Sequence, residues 1–253
     1  PDADGLTNLG EAQAGSDAQN PDTDGDGLFD GAEVLTHNTS PVEVDSDGGG
    51  MDDLNELHWE KTDPTDPDDD VEPISLTLNL IDGGNFRWEV LQSGAISSGS
   101  RDSFDGGLSL KVSGAGFSGR QAAVRAVPSL GGRQVRIGAE QKGDLLVWRF
   151  IFVPDDGAFA RFQEVLYNPT PVPVEVLVGI SSNMGSDGST EIVATSSDDL
   201  SGSVADDWVI TDDRAGGGDS PTVHFFSDDS PGVVQPETMT ASASNQFVEY
   251  AFR

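Results

Sequence analysis

Asp22-Thr-Asp-Gly-Asp-Gly-Leu-Phe-Asp-Gly-Ala-Glu33 places carboxylates at positions one, three, five, nine and twelve of a twelve-residue stretch. They belong to Asp22, Asp24, Asp26, Asp30 and Glu33. Gly27 falls at position six, where the ligand rule for a twelve-residue calcium loop requires a sharp turn. Leu28 at position seven offers only its backbone carbonyl, so its side chain is free to be apolar. Carboxylates this close repel one another unless a cation sits among them. Ca²⁺ takes six to eight hard oxygens in flexible geometry, whereas Mg²⁺ demands a stricter octahedron and keeps its water. The bland reading is a solvated acidic loop; the full ligand set together with the glycine favours calcium.

The loop recurs. Position-one aspartates stand at Asp22, Asp45 and Asp68, 23 residues apart, so the segment is an internal repeat. The second copy, Asp45 to Glu56, keeps Asp45, Asp47, Asp53 and Glu56, with the Met51 carbonyl at position seven. Gly49 stands at its position five, so this site loses a ligand and must borrow an oxygen from water or a neighbouring repeat. Counting back from Glu11 gives an earlier copy with Asp2 at position three, Asp4 at five, Leu6 at seven and Asn8 at nine. Its position one falls before Pro1, and more chain is expected upstream. Asp68 and Asp70 open a further loop that Val71-Glu72-Pro73 leaves incomplete; they are free to serve the preceding copy. Short helical turns are expected at the loop exits, over Gly31–Thr36 and Asp52–Trp59, with Leu35, Leu54, Leu57 and Trp59 as a small apolar seam. That seam is too small for an ordinary core, so metal coordination must supply the folding energy.

These residues resemble bacterial thrombospondin type 3 repeats, whose EF-hand-like signature runs Asp-x-Asp-x-Asp-Gly-x-x-Asp-x-x-Glu. The resemblance covers residues 2–70. It implies a chain wrapped around a line of calcium ions, with little regular secondary structure. It also implies that Asp17, Asp63 and Asp66 between the loops contribute oxygens, although Ser40 stands at the matching place in the middle copy.

Charge separates this segment from the rest. Residues 1–72 hold 22 acidic residues and one basic residue, Lys61, for a net charge of −21 out of the chain's −32. Nucleic acid is excluded as a partner by repulsion and by the lack of a basic stripe. Salt adaptation is a rival source of part of the acidity. With no cysteine, disulfides, cysteine-ligated zinc and thiol catalysis are excluded. No apolar run reaches the roughly 20 residues of a membrane-spanning helix. Sites that must stay filled with calcium are easiest to maintain outside the cell, so an extracellular or cell-surface location is expected.

From Ile74 the period becomes two. Strands are expected over Ile74–Leu80, Asn85–Leu91, Leu108–Ser113, Gln121–Val127, Gln134–Glu140, Leu145–Val153, Arg161–Tyr167, Pro173–Ser181, Glu191–Thr195, Trp208–Thr211, Thr222–Phe226 and Gln246–Phe252. The fold class is therefore mostly β: an irregular calcium-wrapped segment, residues 1–72, then a large antiparallel β-sandwich, residues 73–253. Segments such as Val147-Trp-Arg-Phe-Ile-Phe-Val-Pro154 and Phe159-Ala-Arg-Phe-Gln-Glu-Val-Leu-Tyr-Asn-Pro169 resemble a β-domain found in large secreted or surface proteins of bacteria, to which no activity attaches.

No catalytic motif appears, and no enzyme activity is expected. His37, His58 and His224 lack a second histidine at metal spacing, and His224 suits a buried strand position. The doublets Asp155/Asp156, Asp198/Asp199, Asp206/Asp207, Asp212/Asp213 and Asp228/Asp229 read as solvated turns, and Asn183–Thr190 with Asp187 as a tight polar loop. Trp148, Arg149 and Arg161 could face a sugar or serve packing. The leading expectation is a calcium-stiffened structural or adhesive protein that associates with itself, as a fibre or layer, or with other surface proteins. The alternative is a polysaccharide-binding module of a secreted protein.

Overall fold

The computed structural model describes residues 2–120, 125–185, 190–213, 218, 220–227, 235–242 and 247–253. The acidic segment is loop-rich, with short helices α1 (Asn8–Ala14), α2 (Asp30–Ala32) and α3 (Asp53–Asn55). The latter two run straight into wider π turns, Glu33–His37 and Glu56–Glu60. Each π turn stops at a left-handed residue, Asn38 or Lys61, whose N–H returns to the position-twelve carbonyl of Glu33 or Glu56.

The strands are β1 (Leu78–Ile81), β2 (Arg87–Val90), β3 (Ser109–Val112), β4 (Ala115–Gly116), β5 (Arg125–Ser129), β6 (Gln134–Lys142) and β7 (Leu145–Phe152). They continue with β8 (Arg161–Tyr167), β9 (Val178–Asn183), β10 (Thr190–Thr195), β11 (Trp208–Asp213), β12 (Thr222–Phe225), β13 (Thr238–Ser242) and β14 (Phe247–Phe252). One sheet runs β5-β6-β7-β8, a second β13-β14-β9-β3-β4, a third β10-β11-β12, and β1 pairs with β2; every pairing is antiparallel. Val135, Ile137, Val147 and Ile151 from the first sheet share a core with Leu110, Val112, Ile180 and Val248 from the second. The fold is thus mostly β and sandwich-like.

Two strand starts need correction, and two strands were not expected. Pairing begins at Leu78 rather than Ile74; the Ile74 N–H instead reaches the Ala126 carbonyl, 2.7 Å away. β9 begins at Val178 rather than Pro173; Pro171 and Pro173 have no N–H to give a ladder, and the Val172 N–H turns back to the Thr170 hydroxyl at 3.4 Å. β4 and β13 lie in stretches given no strand, since Ala115-Gly116 is too short and Thr238-Met-Thr-Ala-Ser242 too weakly apolar to show a period. The start of the strand expected at Gln121 lies outside the described residues, as do Asp187 and the Asp228/Asp229 pair. Among the described residues no helix is long and apolar enough to cross a membrane.

β7 decides how the two regions meet. Its sequence, Leu-Leu-Val-Trp-Arg-Phe-Ile-Phe, is apolar on both faces. Leu145, Val147 and Ile151 enter the sandwich core. Leu146, Trp148 and Phe150 point the other way, into a second cluster with Leu28, Leu54 and Trp59 of the acidic segment. Trp59 meets Trp148 and Phe150 edge-on at 5.6 and 5.1 Å between ring centres. The acidic segment therefore forms a layer on the outer face of the four-stranded sheet. Leu35 does not join an apolar seam within that segment; it is 66% exposed. Because Trp148 is buried between the two layers, Trp148→Ala is expected to cost about 3–5 kcal/mol, read from the shift of the urea midpoint.

Candidate metal centre

Among the described residues, three groups of acidic side chains converge. In each group one oxygen per residue lies within 4.8 Å of the others: Asp2, Asp4 and Glu11; Asp22, Asp24 and Asp26; Asp47, Glu56 and Asp70. Local backbone geometry builds them. The position-six glycines Gly5, Gly27 and Gly50 take φ of 104°, 104° and 117°, a conformation that L side chains resist. That turn lets Asp22 accept N–H groups from Gly25 and Gly27 at 2.8 and 3.1 Å, and Asp45 accept those of Gly48 and Gly50 at 2.7 and 3.0 Å. The position-five carboxylates Asp4 and Asp26 each accept the N–H of position seven, Leu6 or Leu28, at 2.8 and 2.7 Å.

The copy with Gly49 solves the same problem from outside. The position-seven N–H of Met51 donates to Asp70, 2.9 Å away and 19 residues on. A Cβ on Gly49 would lie 2.2 Å from that Asp70 oxygen. Asp70 therefore occupies the place that Asp4 and Asp26 hold in the other copies, and glycine makes the room.

Burial is what distinguishes these groups from surface acid. Glu11, Glu33 and Glu56, all at position twelve, are each 0% exposed, and of the three Glu33 alone lies outside the converging groups. Among the described residues, both carboxylate oxygens of Glu11 lack a hydrogen-bond partner, as do Glu33 Oε2, Glu56 Oε2, Asp2 Oδ2, Asp24 Oδ2, Asp26 Oδ2, Asp47 Oδ2 and Asp70 Oδ1. The other oxygen of Glu33 accepts from Thr39 at 3.2 Å, and that of Glu56 from Thr62 at 3.1 Å. Buried acceptors without donors are costly. A hard divalent cation would supply what they lack, and an all-oxygen donor set is the kind that calcium takes.

Several expected ligands serve other ends. Asp30 accepts the Thr23 N–H and hydroxyl at 2.8 and 2.7 Å, and Asp53 accepts those of Ser46 at 2.9 and 2.6 Å. Both position-nine aspartates thus brace the loop through its second residue, and neither falls within a converging group. Asp17, Asp63, Asp66 and Asp68 are exposed. Asp17, Asp63 and Asp66 cap local turns at Gln19, Thr65 and Asp68. Residues that the loop spacing alone does not name also shape the centre. They are Thr39 and Thr62, and their shared place six residues after a position-twelve glutamate is the sequence signal that marks them.

The trapped charge has a titration signature. Burial, then the nearby Asp24 and Asp52 charges, pushes Asp26 up to about 9. Burial with Asp26 and Asp24 raises Glu33 to about 9, and burial with Asp22 raises Asp24 to about 6. Glu56 is raised by burial and by Asp70, and Glu11 by burial and by Asp2 and Asp4. Elsewhere, burial lowers His224 to about 4, so it sits neutral against Phe104. Trp148 and Arg149 are 1% and 0% exposed, so neither faces a sugar; Arg149 pairs with Glu164 at 3.3 Å in the interior.

In the metal-free folded chain Asp26 and Glu33 hold protons to about pH 9, whereas the unfolded chain releases them near their ordinary values of 3.8 and 4.5. The folded form binds more protons between those limits, so metal-free stability is full below that lower range and falls as pH rises toward 9. Thermal melts in a chelator across pH 5 to 9 are expected to show that decline, and melts with calcium to remove it. Compared with known protein families, curated proteins and solved structures, the chain matches none.

Proposed function

We propose that the chain is an extracellular calcium-binding structural or adhesive protein, in which calcium rigidifies residues 1–72 and the β-domain presents contacts to neighbouring molecules. The observation that carries the reading is the burial of Glu11, Glu33 and Glu56 with oxygens that have no donor. A protein in a calcium-rich medium stabilises such groups by filling them; in a calcium-poor one they remain a standing electrostatic cost. Asp2, Asp4 and Glu11 would hold one ion, Asp22, Asp24, Asp26 and Glu33 a second, and Asp47, Glu56 and Asp70 a third. Bound calcium supplies positive charge at these oxygens; the chain's own contribution is to fix them in place through the position-six turns.

Self-association through the same charge neutralisation belongs to this reading. A net charge of −32 keeps copies apart, and divalent ions weaken that barrier. The functional role proposed is thus mechanical, with calcium setting both stiffness and assembly.

Calorimetric titration with calcium chloride at pH 7.5 tests the reading. Saturable calcium binding is expected, with magnesium far weaker. Glu33→Gln, which keeps the shape and removes the charge, is expected to weaken one site at least about tenfold, the equivalent of about 1.4 kcal/mol. Sedimentation with and without chelator checks the assembly: a calcium-dependent rise in particle size is expected, and identical profiles would remove self-association while leaving the sites.

A further inference from the structure

We infer that the turn Asp53–Glu60 is a calcium-coupled clasp, in which filling of the Asp47, Glu56 and Asp70 group and docking of the acidic layer on the four-stranded sheet are one event. The inference rests on the calcium reading and adds what the ion controls. α3 and its π turn carry both functions on neighbouring residues. Glu56 faces the acidic group, with one oxygen unpartnered and completely buried. Leu54, Asn55, Trp59 and Glu60 face the sheet.

Docking is a polar lock inside an apolar rim. The Asn55 side-chain oxygen accepts from the Trp148 indole N–H at 3.0 Å and from the Arg136 guanidinium. Arg136 also pairs with Glu60, and its guanidinium lies 5.8 Å from the centre of the Trp59 ring. The Asn55 amide nitrogen donates to Asp52 at 2.6 Å, and Asp52 caps the same helix by accepting the Asn55 N–H at 2.9 Å. Asn55 is completely buried and Arg136 is 3% exposed. A buried lock of this kind is worth having only when every member is in place; one missing partner leaves a costly unsatisfied group.

The loop before it joins the same surface. A Cβ on Gly27 would fall 2.1 Å from Leu146 Cδ1 and 2.9 Å from Leu54 Cδ2, so the position-six turn is pressed against the sheet. Leu28 packs beside it. Without the ion, the buried oxygens of Asp47, Glu56 and Asp70 lose the positive charge that would gather them, and the stretch they share with the clasp has no core of its own to hold it. Loss of calcium therefore unseats the clasp and bares Leu146, Trp148 and Phe150. The device is a calcium-gated apolar surface, closed in a calcium-rich medium.

The natural lack of cysteine gives a clean test. Val165→Cys, at a half-buried position against Trp148, is treated in the full chain with a soluble maleimide, in calcium and after chelation, while calorimetry follows calcium binding to the same protein. Labelling is expected to speed up about tenfold or more on chelation, and emission of the unsubstituted protein to shift to longer wavelength as Trp59 and Trp148 meet water. Coupling is reciprocal, so Arg136→Met, which keeps every acidic residue, is expected to weaken one calcium site severalfold. If Val165→Cys does not fold, the emission of the unsubstituted chain and the Arg136→Met titration decide. Calcium binding with unchanged labelling and emission overturns the clasp and leaves the calcium reading intact; no calcium binding overturns both.

Discussion

Repulsion among buried carboxylates is the constraint to which the rest of this molecule answers. Few proteins bury glutamate without a cationic partner, because a charge taken out of water costs several kcal/mol even after relaxation. Here Glu11, Glu33 and Glu56 are all fully buried, and the chain offers them threonine hydroxyls at most. Lys61, the one basic side chain of the segment, donates to the Leu57 carbonyl instead. The acidic layer consequently holds buried oxygens that the described residues leave without a positive partner. Its position-six turns, its side-chain-braced loops and its stacking on the sheet all hold oxygens together against their own field.

The sheet beneath is the counterpart. β7 is buried on both faces, which makes the four-stranded sheet an interior wall rather than one side of a two-layer sandwich. An acidic repeat with little apolar surface would be a poor layer by area alone. Arg136 changes that, since it brings positive charge to the seam and reaches Asn55 and Glu60 together. The electrostatics of the loops and the packing of the β-domain therefore meet at a handful of side chains.

Legibility in the sequence followed the range of the interaction. The convergence of Asp22, Asp24 and Asp26 could be read directly, because it is set by a few consecutive residues and the turn at Gly27. Most strands could be read from their period, and β8 was bounded as found, from Arg161 to Tyr167. The bracing of Asp30 by Thr23 and of Asp53 by Ser46 was hidden, since spacing does not show which way a carboxylate turns. A hydroxyl residue at position two of both copies was the available clue. The seam with the sheet was hidden more deeply, because Asn55 and Trp148 are 93 residues apart. Its trace was the failure of β7 to alternate, which says that something covers the outer face but not what.

The displaced carboxylate of Asp70 has a consequence for how the chain matures. A ribosome delivers residues in order, and the loop from Asp22 to Glu33 leaves it with its own oxygens already aboard. The following loop leaves with a gap at Gly49 that nothing can close until another twenty-one residues have been added. On the calcium reading the nascent repeats are thus completed in sequence, and the last closure falls at the threshold of the β-domain, just as the partner sheet begins to be made.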